Sequence, residues 1–151
     1  MVWIAKTFEQ LSNLELYQIL ALRQEVFIVE QNCPYLDADG KDPLAVHCLG
    51  WNGAILHAYT RILPKQIIYE KYASIGRVIT AKAARGRGLG KKIMEFSISE
   101  AQNLYPADPI KISAQSHLEG FYNELGFEAT GEEYLEDNIP HKAMVLKDKR
   151  N

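Results

Sequence analysis

Residues 74–93 read SIGRVITAKAARGRGLGKKI, a segment that predicts a strand, a basic glycine loop and the start of a helix. β-Branched residues favour the strand at 74–81, and apolar residues at helical spacing favour a helix from about 89 to 103. The loop between them, RGRGLGKK at 85–92, places three glycines among four basic residues. Glycines let a backbone approach a ligand closely, and the N-terminus of a helix attracts anions. The segment therefore predicts a site for phosphate, with a solvated basic turn as the alternative.

Two common phosphate-binding motifs do not match this loop. A Walker A loop requires G-x-x-x-x-G-K-[ST], but Gly86 and Gly90 are one residue too close together and Lys92 stands in place of Ser or Thr. A dinucleotide-binding fingerprint requires G-x-G-x-x-G, whereas this loop reads G-x-G-x-G. Neither an ATPase nor a Rossmann-type function is therefore indicated.

The composition argues for a small-molecule partner. The chain has 151 residues, 47% of them hydrophobic, and a formal net charge of −2. Nucleic-acid-binding proteins usually carry an excess of basic charge. No apolar run reaches the roughly 20 residues of a membrane span, and the N-terminus shows no signal-peptide pattern. We therefore expect one cytoplasmic domain over residues 1–151, with no nucleic-acid or membrane partner.

The cysteines and histidines do not indicate a metal site. Cys33 and Cys48 form no C-x-x-C pair, and the four histidines lack the spacing of zinc ligands. We expect two free thiols and no bound metal.

The remaining elements follow from hydrophobic periodicity and from turn residues. Further strands are predicted at about 2–6, 46–51, 54–63, 110–115, 126–131 and 141–147, and further helices at about 13–30 and between Ser116 and Gly126. Capping boxes at Ser12–Glu15 and Ser116–Glu119 would start these helices, and Asn52-Gly53 predicts a hairpin turn. The order β-α-β-β-β-α-β-α-β-β predicts an α/β fold in which helices pack on a mixed sheet.

The order of these motifs resembles the GNAT superfamily of acyl-CoA-dependent N-acyltransferases. An R-x-x-G-x-G loop at 85–90, between a strand and a helix, is followed by F-Y-x-x-x-G-F at 121–127. Four segments resemble the ElaA-like branch more closely: LRQEVFIVEQNCPYLDADGKD at 22–42, IGRVIT at 75–80, AQSHLEGFYNELGF at 114–127 and IPHKAM at 139–144. The resemblance implies a single GNAT-type domain with a mixed, mostly antiparallel sheet of about six to seven strands flanked by helices.

The resemblance implies that the glycine loop holds the pyrophosphate of acetyl-CoA, the acyl donor. The loop residues concerned are Arg85, Gly86, Arg87, Gly88, Leu89, Gly90 and Lys91. The strand before the loop would pair its backbone with the pantetheine arm through Val78, Ile79 and Thr80. One of its N–H groups would also stabilise the oxyanion of the reaction, an effect of about 3–4 kcal/mol in other acyl transfers. Gln115 stands where many family members have an Asn that contacts the cofactor.

The resemblance also assigns a chemical role to Tyr122, whose alternative is a core aromatic at helical spacing. A phenol remains protonated at neutral pH, so it can donate a proton to the departing coenzyme A thiolate. A protonated amine acceptor also needs a base, which is either a side chain or a water chain. Candidates for contact with the acceptor or for the base are His47, Arg77, His117 and His141, with Glu133 or Glu136 behind the histidines.

Two further polar segments are ambiguous. The strand at 54–63 carries His57, Tyr59 and Arg61 on one face, which is more often simply exposed to solvent. The loop at 31–42 carries three aspartates, which either form a lid suited to a cationic amine or only a turn. These aspartates are Asp37, Asp39 and Asp42.

The implied function is transfer of an acetyl group from acetyl-CoA to the primary amine of a small molecule or peptide. The amine would attack the thioester directly and form a tetrahedral intermediate. One alternative is an acyltransferase like the acyl-homoserine-lactone synthases, which the segment at 22–42 also resembles. Another is a non-catalytic sensor that binds acyl-CoA on the same fold, although the presence of Tyr122 argues against it. GNAT proteins often pair, so the resemblance also allows a homodimer.

Overall fold

The computed structural model describes residues 1–147, and residues 148–151 lie outside this range. The strands are β1 (Val2–Thr7), β2 (Val46–Asn52), β3 (Ile55–Leu63), β4 (Ala73–Thr80), β5 (Ile110–Gln115), β6 (Phe127–Ala129), β7 (Tyr134–Glu136) and β8 (Ile139–Leu146). The α-helices are α1 (Asn13–Arg23), α2 (Leu89–Leu104) and α3 (Glu119–Glu124). A π-helical segment, Gln24–Glu30, continues α1. The predicted α/β class is confirmed.

All these strands belong to one sheet. Their order is β1-β2-β3-β4-β5-β8-β6, and β7 pairs with β8. Only the β4–β5 pair is parallel, so the mostly antiparallel sheet is confirmed. Within residues 1–147 the sheet has eight strands rather than six to seven, because β7 forms between the strands predicted at 126–131 and 141–147.

The β4–β5 pair is the point where the sheet opens. Pairing is limited to Ala73 with Ile110 and Ser74 with Lys111. Beyond these residues the two strands part, and Arg77 adopts a φ of 50°, a left-handed conformation that bulky residues rarely take. The β5-facing edge of β4 is therefore left without a strand partner from Ile75 to Thr80.

The helices cover the two faces of the sheet. On one face, α2 packs Ile93 and Met94 into a core formed with side chains of β3, β4, β5 and β8. On the other face, α1 and its π-helical continuation pack Ile19, Leu22 and Val26 against residues of β2, β3 and β4. The sheet is thus buried on both sides near its centre.

Because helices cover both faces of the sheet, the expectation that the polar face of β3 is exposed to solvent is wrong. His57, Tyr59 and Arg61 are 9%, 0% and 3% exposed, so none of them forms a solvated surface. A central strand that is covered on both faces buries every side chain. Its polar groups must therefore find partners inside the protein.

The first predicted helix start is confirmed and the second is wrong. Ser12 Oγ accepts from the Glu15 N–H at 3.1 Å, and the Glu15 carboxylate accepts from the Ser12 N–H at 2.8 Å. Residues Ser116–Leu118 instead form a short 3-10 turn, and α3 begins at Glu119 without a side-chain cap. The Ser116 hydroxyl is buried and has no hydrogen-bond partner among the described residues.

The predicted hairpin forms with a turn that is shifted by one residue. Asn52 pairs with Ile55, so the two-residue loop is Gly53-Ala54. Gly53 has a φ of 60°, which suits glycine at the first position of a tight hairpin loop.

An ion network holds residues 31–45, which we call the Asp loop, against the sheet. Its members are Arg23, Arg61, Arg77, Asp37, Asp39 and Asp42. Arg23, which is fully buried at the end of α1, binds Asp37 Oδ2 at 2.8 Å and Asp42 Oδ1 at 2.7 Å. It also donates to the carbonyl oxygen of Asp37 at 3.0 Å. The loop is thus tied to α1 by charge-assisted hydrogen bonds, which are stronger than neutral ones.

Arg61 and Arg77 complete the ion network from the sheet. Arg61 on β3 binds both carboxylate oxygens of Asp39, and it shares Asp42 with Arg23. Arg77 on β4 binds Asp37 Oδ1 at 2.8 Å. Three cations face three anions, so the network carries no net charge.

Replacing Arg23 tests this network. Arg23→Met removes one of two cations from each of Asp37 and Asp42, and breaking a buried pair costs about 3–5 kcal/mol. We expect the free energy of unfolding in urea to fall by about that amount. The control is Lys6→Met, which removes a partly exposed pair with Glu15 and should cost less than about 1 kcal/mol. Equal losses in the two variants would contradict the structural role of the network.

The same network predicts a loss of stability in acid. Burial raises the pKa of the Asp39 and Asp42 carboxyls, but the hydrogen bonds and charges of the arginines outweigh it and hold both values below the usual range. Because these pKa values are lower in the folded state, the stabilisation is present above the unfolded value near 4 and is lost as the pH falls below it. We expect the urea midpoint to drop between about pH 4 and pH 2. A flat profile there would show that the carboxylates do not stabilise the fold.

Candidate functional site

A concave site lies where β4 and β5 part, and we call it the cleft. It has an empty volume of about 700 Å3 including its open mouth. The π-helical segment and the Asp loop form one wall, and β7, β8 and the turn between them form the opposite wall. Its polar and aromatic lining includes Phe27, Gln31, Cys33, Tyr35, Arg77, Ser113, Gln115, Tyr122, Glu136, Asp137 and His141.

The glycine loop forms a second depression at the N-terminus of α2. Gly88 is the N-cap residue of this helix, with a φ of 72°, and Gly86 has a φ of 82°. A Cβ built at either glycine would meet no atom within 4 Å, so the space beside this backbone is open. The first N–H groups of α2 have no partner within the helix and point out of its N-terminus. The depression can therefore accept an anion at the positive end of the helix dipole.

A channel joins the depression to the cleft. Its lining residues are Val78, Thr80, Gly90, Leu118, Phe121 and Tyr122. Thr80, Gly90 and Phe121 also line the depression, whereas Val78, Leu118 and Tyr122 also line the cleft. The path therefore runs from the glycine loop along the unpaired edge of β4 to Tyr122. An elongated ligand with an anionic group at the loop can reach the cleft by this path.

Most of the predicted donor-site residues lie along this path. The loop from Arg85 to Lys91 borders the depression, except that Arg87 does not contribute to its lining. Gln115 lines the cleft. Ile79 is different, because its side chain is 2% exposed and belongs to the core beneath α1. Any contact of Ile79 with a ligand must therefore be made by its backbone.

The Arg85 guanidinium has protein partners already. It forms a two-pronged ion pair with Glu30, with Nη2 at 2.8 Å from Glu30 Oε2, and it donates to the Thr80 carbonyl oxygen at 3.3 Å. These contacts tie the glycine loop to the end of the π-helical segment. The exposed cations that remain at the loop are those of Arg87, Lys91 and Lys92.

Tyr122 lies at the junction of the channel and the cleft. It is 6% exposed and makes edge contacts with the rings of Phe121 and Phe127, at centroid distances of 5.0 and 6.0 Å. Burial raises the pKa of Tyr122 to about 12, so the phenol is protonated at neutral pH. Within residues 1–147 its hydroxyl has no hydrogen-bond partner. The group is therefore a neutral donor that is available to a ligand.

His141 lies in the opposite wall of the cleft, on β8. Its Nδ1 is 2.7 Å from the Ile139 carbonyl oxygen, and its Nε2 is 3.4 Å from Glu136 Oε2. Arg77 also lines the cleft, although its Nε is used by Asp37. Of the four residues predicted to contact an acceptor, these two are brought to the cleft.

The other two residues predicted to contact the acceptor, His47 and His117, do not line the cleft, which corrects that prediction. His47 is fully buried, and its ring nitrogens lie 2.6 Å from the Tyr59 hydroxyl and 3.0 Å from the Asp42 carbonyl oxygen. Burial lowers the pKa of His47, which favours the neutral ring. His117 is exposed on the short turn before α3 and does not line the cleft. His47 thus supports the Asp loop, and His117 faces solvent.

The idea of an acidic lid is wrong for the aspartates of the Asp loop. Asp37, Asp39 and Asp42 point their carboxylates at arginines of the ion network and are not free to bind a cationic amine. The loop lines the cleft with Cys33 and Tyr35 instead. No sequence signal identified these two residues, nor Phe27 and Gln31, because neither a π-helical segment nor an irregular loop has a recognisable pattern.

The part of the chain that the structure describes contains neither a metal-binding cluster of side chains nor a membrane-spanning helix. No group of three or more His, Cys, Asp or Glu side chains there is arranged to hold a metal ion. No helix in residues 1–147 combines the length and the apolar character needed to cross a membrane.

The comparisons of sequence and of structure with known proteins point to the same family. A family model described as an acetyltransferase (GNAT) domain matches residues 53–147. Protein ElaA of Escherichia coli is 42% identical over 95% of this chain and 94% of its own length. The crystal structure of E. coli ElaA has a TM-score of 0.91 at 40% identity and covers 97% of this chain and 100% of its own.

Two further crystal structures are similar to different degrees. An acyl-CoA N-acyltransferase from Pseudomonas aeruginosa has a TM-score of 0.91 at 42% identity and covers 97% of this chain and 99% of its own. A CoA-dependent acyl-homoserine lactone synthase, BjaI, has a TM-score of 0.75 at 16% identity and covers 95% of this chain and 81% of its own. The second similarity concerns the fold alone.

Proposed function

The chain belongs to the GNAT acetyltransferase family of acyl-CoA N-acyltransferases, and from this premise we propose that it transfers an acetyl group from acetyl-CoA to a primary amine. The observation that carries the proposal is the continuous path from the glycine loop, along the free edge of β4, to Tyr122 and the cleft. A long donor with a diphosphate near one end and a thioester at the other fits such a path. The acceptor would be a small molecule or a peptide that enters from the cleft.

The glycine loop would hold the donor pyrophosphate mainly by its backbone. Gly86 and Gly88 leave room for phosphate oxygens to approach the first N–H groups of α2. Arg87 and Lys91 are exposed beside the loop and would add charge. Arg85 would act differently from the other cations, because Glu30 and the Thr80 carbonyl already occupy its guanidinium.

The free edge of β4 would bind the pantetheine arm and the thioester. Between Ile75 and Thr80, β4 has no strand partner on the side of β5. Apart from the Thr80 carbonyl oxygen, which accepts from Arg85, its N–H and C=O groups on that side are open to a ligand. An amide-containing arm can pair with these groups as an added strand would. An N–H from Val78 or a neighbour would then polarise the thioester carbonyl and stabilise the oxyanion.

Tyr122 would protonate the leaving thiolate. A phenol with a pKa of about 12 is a weak acid, but a thiolate beside it experiences the same burial. The buried Cys48 shows this effect, since burial raises its thiol pKa to about 11. Within the apolar surroundings of Tyr122, burial therefore raises the proton affinity of the phenol and of the thiolate together, and the transfer remains only slightly uphill. The transfer would place a proton on sulfur as the C–S bond breaks.

Two alternative functions use the same donor site. An activity like that of the acyl-homoserine-lactone synthases is supported by the similarity of fold to BjaI and by the segment at 22–42. A non-catalytic sensor of acyl-CoA would bind the donor without any use for Tyr122. The release of thiol from acetyl-CoA in the presence of primary amines separates the sensor from both enzymes.

The donor is tested first by thermal unfolding with acetyl-CoA, free CoA or ATP. A ligand that binds only the folded state stabilises it by about 2.7 kcal/mol at 100 times its Kd. We expect the midpoint to rise with both CoA compounds and not with ATP. No shift with millimolar acetyl-CoA and CoA would contradict the proposed donor site.

Gly88→Ala tests the loop assignment. The added methyl group would occupy the space through which phosphate reaches the backbone, so we expect the Kd of CoA to rise at least about 10-fold. The matched control is Gly53→Ala in the β2–β3 turn, because it has a similar positive φ and equally open surroundings. Both variants should lose similar stability, but only Gly88→Ala should lose affinity, as measured by calorimetry. Unchanged affinity in Gly88→Ala would contradict the role of the loop.

Tyr122→Phe tests the proposed acid. Removing one hydroxyl should lower kcat by about 10²-fold or more, the usual scale for a general acid, while the Kd of acetyl-CoA stays within about 2-fold. Thiol release with a panel of primary amines measures the first quantity and calorimetry the second. Tyr105→Phe is the control, because Tyr105 ends α2 and does not line the cleft. Equal turnover in the two variants would remove Tyr122 from the mechanism.

A further inference from the structure

The surroundings of His141 fix which ring nitrogen carries the proton. Nδ1 lies 2.7 Å from the Ile139 carbonyl oxygen, and a carbonyl oxygen can only accept a hydrogen bond. Nδ1 must therefore be the donor. In the neutral ring this leaves the lone pair on Nε2, which faces the Glu136 carboxylate at 3.4 Å.

We propose that His141 is the base that takes a proton from the acceptor ammonium, and that Glu136 positions it for this step. The proposal rests on the proposed acetyl transfer and adds a residue for its acceptor half. A histidine whose Nδ1 is held by a backbone carbonyl presents a fixed lone pair at Nε2. When Nε2 takes up a proton, the resulting imidazolium faces a carboxylate, which stabilises it.

Contacts within β7 and β8 hold the ring, and a residue of β5 supports these contacts. Tyr134 on β7 stacks on the His141 ring, with centroids 6.2 Å apart and planes at 24°. The Tyr134 hydroxyl is hydrogen-bonded to Ser113 on β5, and the Ser113 hydroxyl lies 3.3 Å from Glu136 Oε1. The Ser113 hydroxyl thus holds Oε1 of Glu136, and Oε2 faces Nε2 of His141. Such support from strands, rather than from a loop, keeps a base in a defined place.

The cleft around this base is open to an acceptor. Glu136 is half exposed, with 50% of its side chain accessible, so an incoming ammonium can reach the carboxylate and Nε2 together. The other titratable or charged groups that line the cleft are Cys33, Tyr35, Arg77, Tyr122 and Asp137. Arg77 is balanced by Asp37 and Asp39, whereas the Asp137 carboxylate has no ion-pair partner among the described residues. The acceptor wall is therefore anionic, which favours a cationic amine.

The proton transfers balance with one base and one acid. His141 Nε2 takes one proton from the ammonium, and the neutral amine nitrogen then forms a bond to the thioester carbon. As the C–S bond breaks, the Tyr122 hydroxyl gives its proton to the thiolate sulfur. The nitrogen of the new bond loses its second proton, which restores the Tyr122 phenol directly or through water. His141 then releases its proton to solvent, and the amide and the thiol leave.

No other histidine lines the cleft with one ring nitrogen held by a carbonyl and the other facing a carboxylate. Both ring nitrogens of His47 are engaged in the core, away from the cleft. His57 is 9% exposed on β3, its Nδ1 has no partner, and it does not line the cleft. His117 faces solvent outside the cleft.

The first test reads the tautomer in the wild-type protein. Nitrogen-15 NMR of the imidazole rings, at a pH where His141 is neutral, should show a proton on Nδ1 and none on Nε2. His141→Asn identifies the signal by its loss. A proton on Nε2 would overturn the proposal, because no lone pair would face the cleft. This measurement needs no acceptor, and it is independent of the CoA-induced shift that tests the donor site.

The second test uses two small amines that differ mainly in basicity, ethylamine and 2,2,2-trifluoroethylamine. His141→Asn keeps a donor for the Ile139 carbonyl but removes the base. We expect kcat/KM for ethylamine to fall about 10²- to 10⁴-fold, the usual scale of general base catalysis. The fall should be much smaller for trifluoroethylamine, which is already neutral near pH 7. A merely structural role would lower both rates equally and would overturn the proposal.

His117→Asn is the matched control, and it should leave both rates and the unfolding midpoint unchanged. Glu136→Gln keeps the shape of the side chain and removes its charge. It should lower kcat for ethylamine more than for trifluoroethylamine, and less than His141→Asn does. The Kd of acetyl-CoA should be the same in all three variants. A Glu136→Gln enzyme with equal losses for the two amines would show that Glu136 has no part in the proton transfer.

Discussion

Arg23 is fully buried, so its charge has to be balanced by groups inside the protein. The balancing groups, Asp37 and Asp42, belong to a loop that lacks regular structure except for one short 3-10 turn. The same aspartates bind Arg61 and Arg77, and these contacts fix the loop as a wall of the cleft. The position of Tyr35 and of Arg77 in that wall therefore depends on electrostatics rather than on apolar packing.

This dependence links the loop to the opening of the sheet. Arg77 has a left-handed backbone conformation at the point where β4 leaves β5, a conformation that costs energy in a residue with a large side chain. Its guanidinium is held by Asp37, so the ion network stabilises the kink that frees the edge of β4. At the other end of the path, Arg85 ties the glycine loop to Glu30, directly before the Asp loop. One continuous segment thus contacts both the donor depression and the acceptor cleft.

The sequence predicted the fold and the donor path better than the acceptor cleft, and the reason is physical. Strands, helices and the glycine loop depend on local patterns: periodicity, the Ser12 cap and glycines with positive φ. The acceptor cleft depends on pairings between distant residues, such as Arg23 with Asp42 and Ser113 with Glu136, which no local pattern encodes. His47 and His141 look alike in the sequence, and only the tertiary structure separates a core residue from one that lines the cleft. The second capping box failed because Ser116 turns inward and not toward the helix N-terminus.

The environments of Tyr122 and His141 differ in the way that their proposed roles require. Tyr122 has aromatic neighbours and no charged partner, so burial keeps it neutral and able to donate. His141 has a carbonyl at one nitrogen and a carboxylate at the other, so the carbonyl fixes the proton on Nδ1 and an anion lies beside Nε2. An acid and a base that work in one cycle must not neutralise each other in the resting enzyme. The apolar end of the channel keeps the Tyr122 phenol protonated, and the Ile139 carbonyl holds the proton of the neutral imidazole on Nδ1, so that Nε2 is the accepting atom.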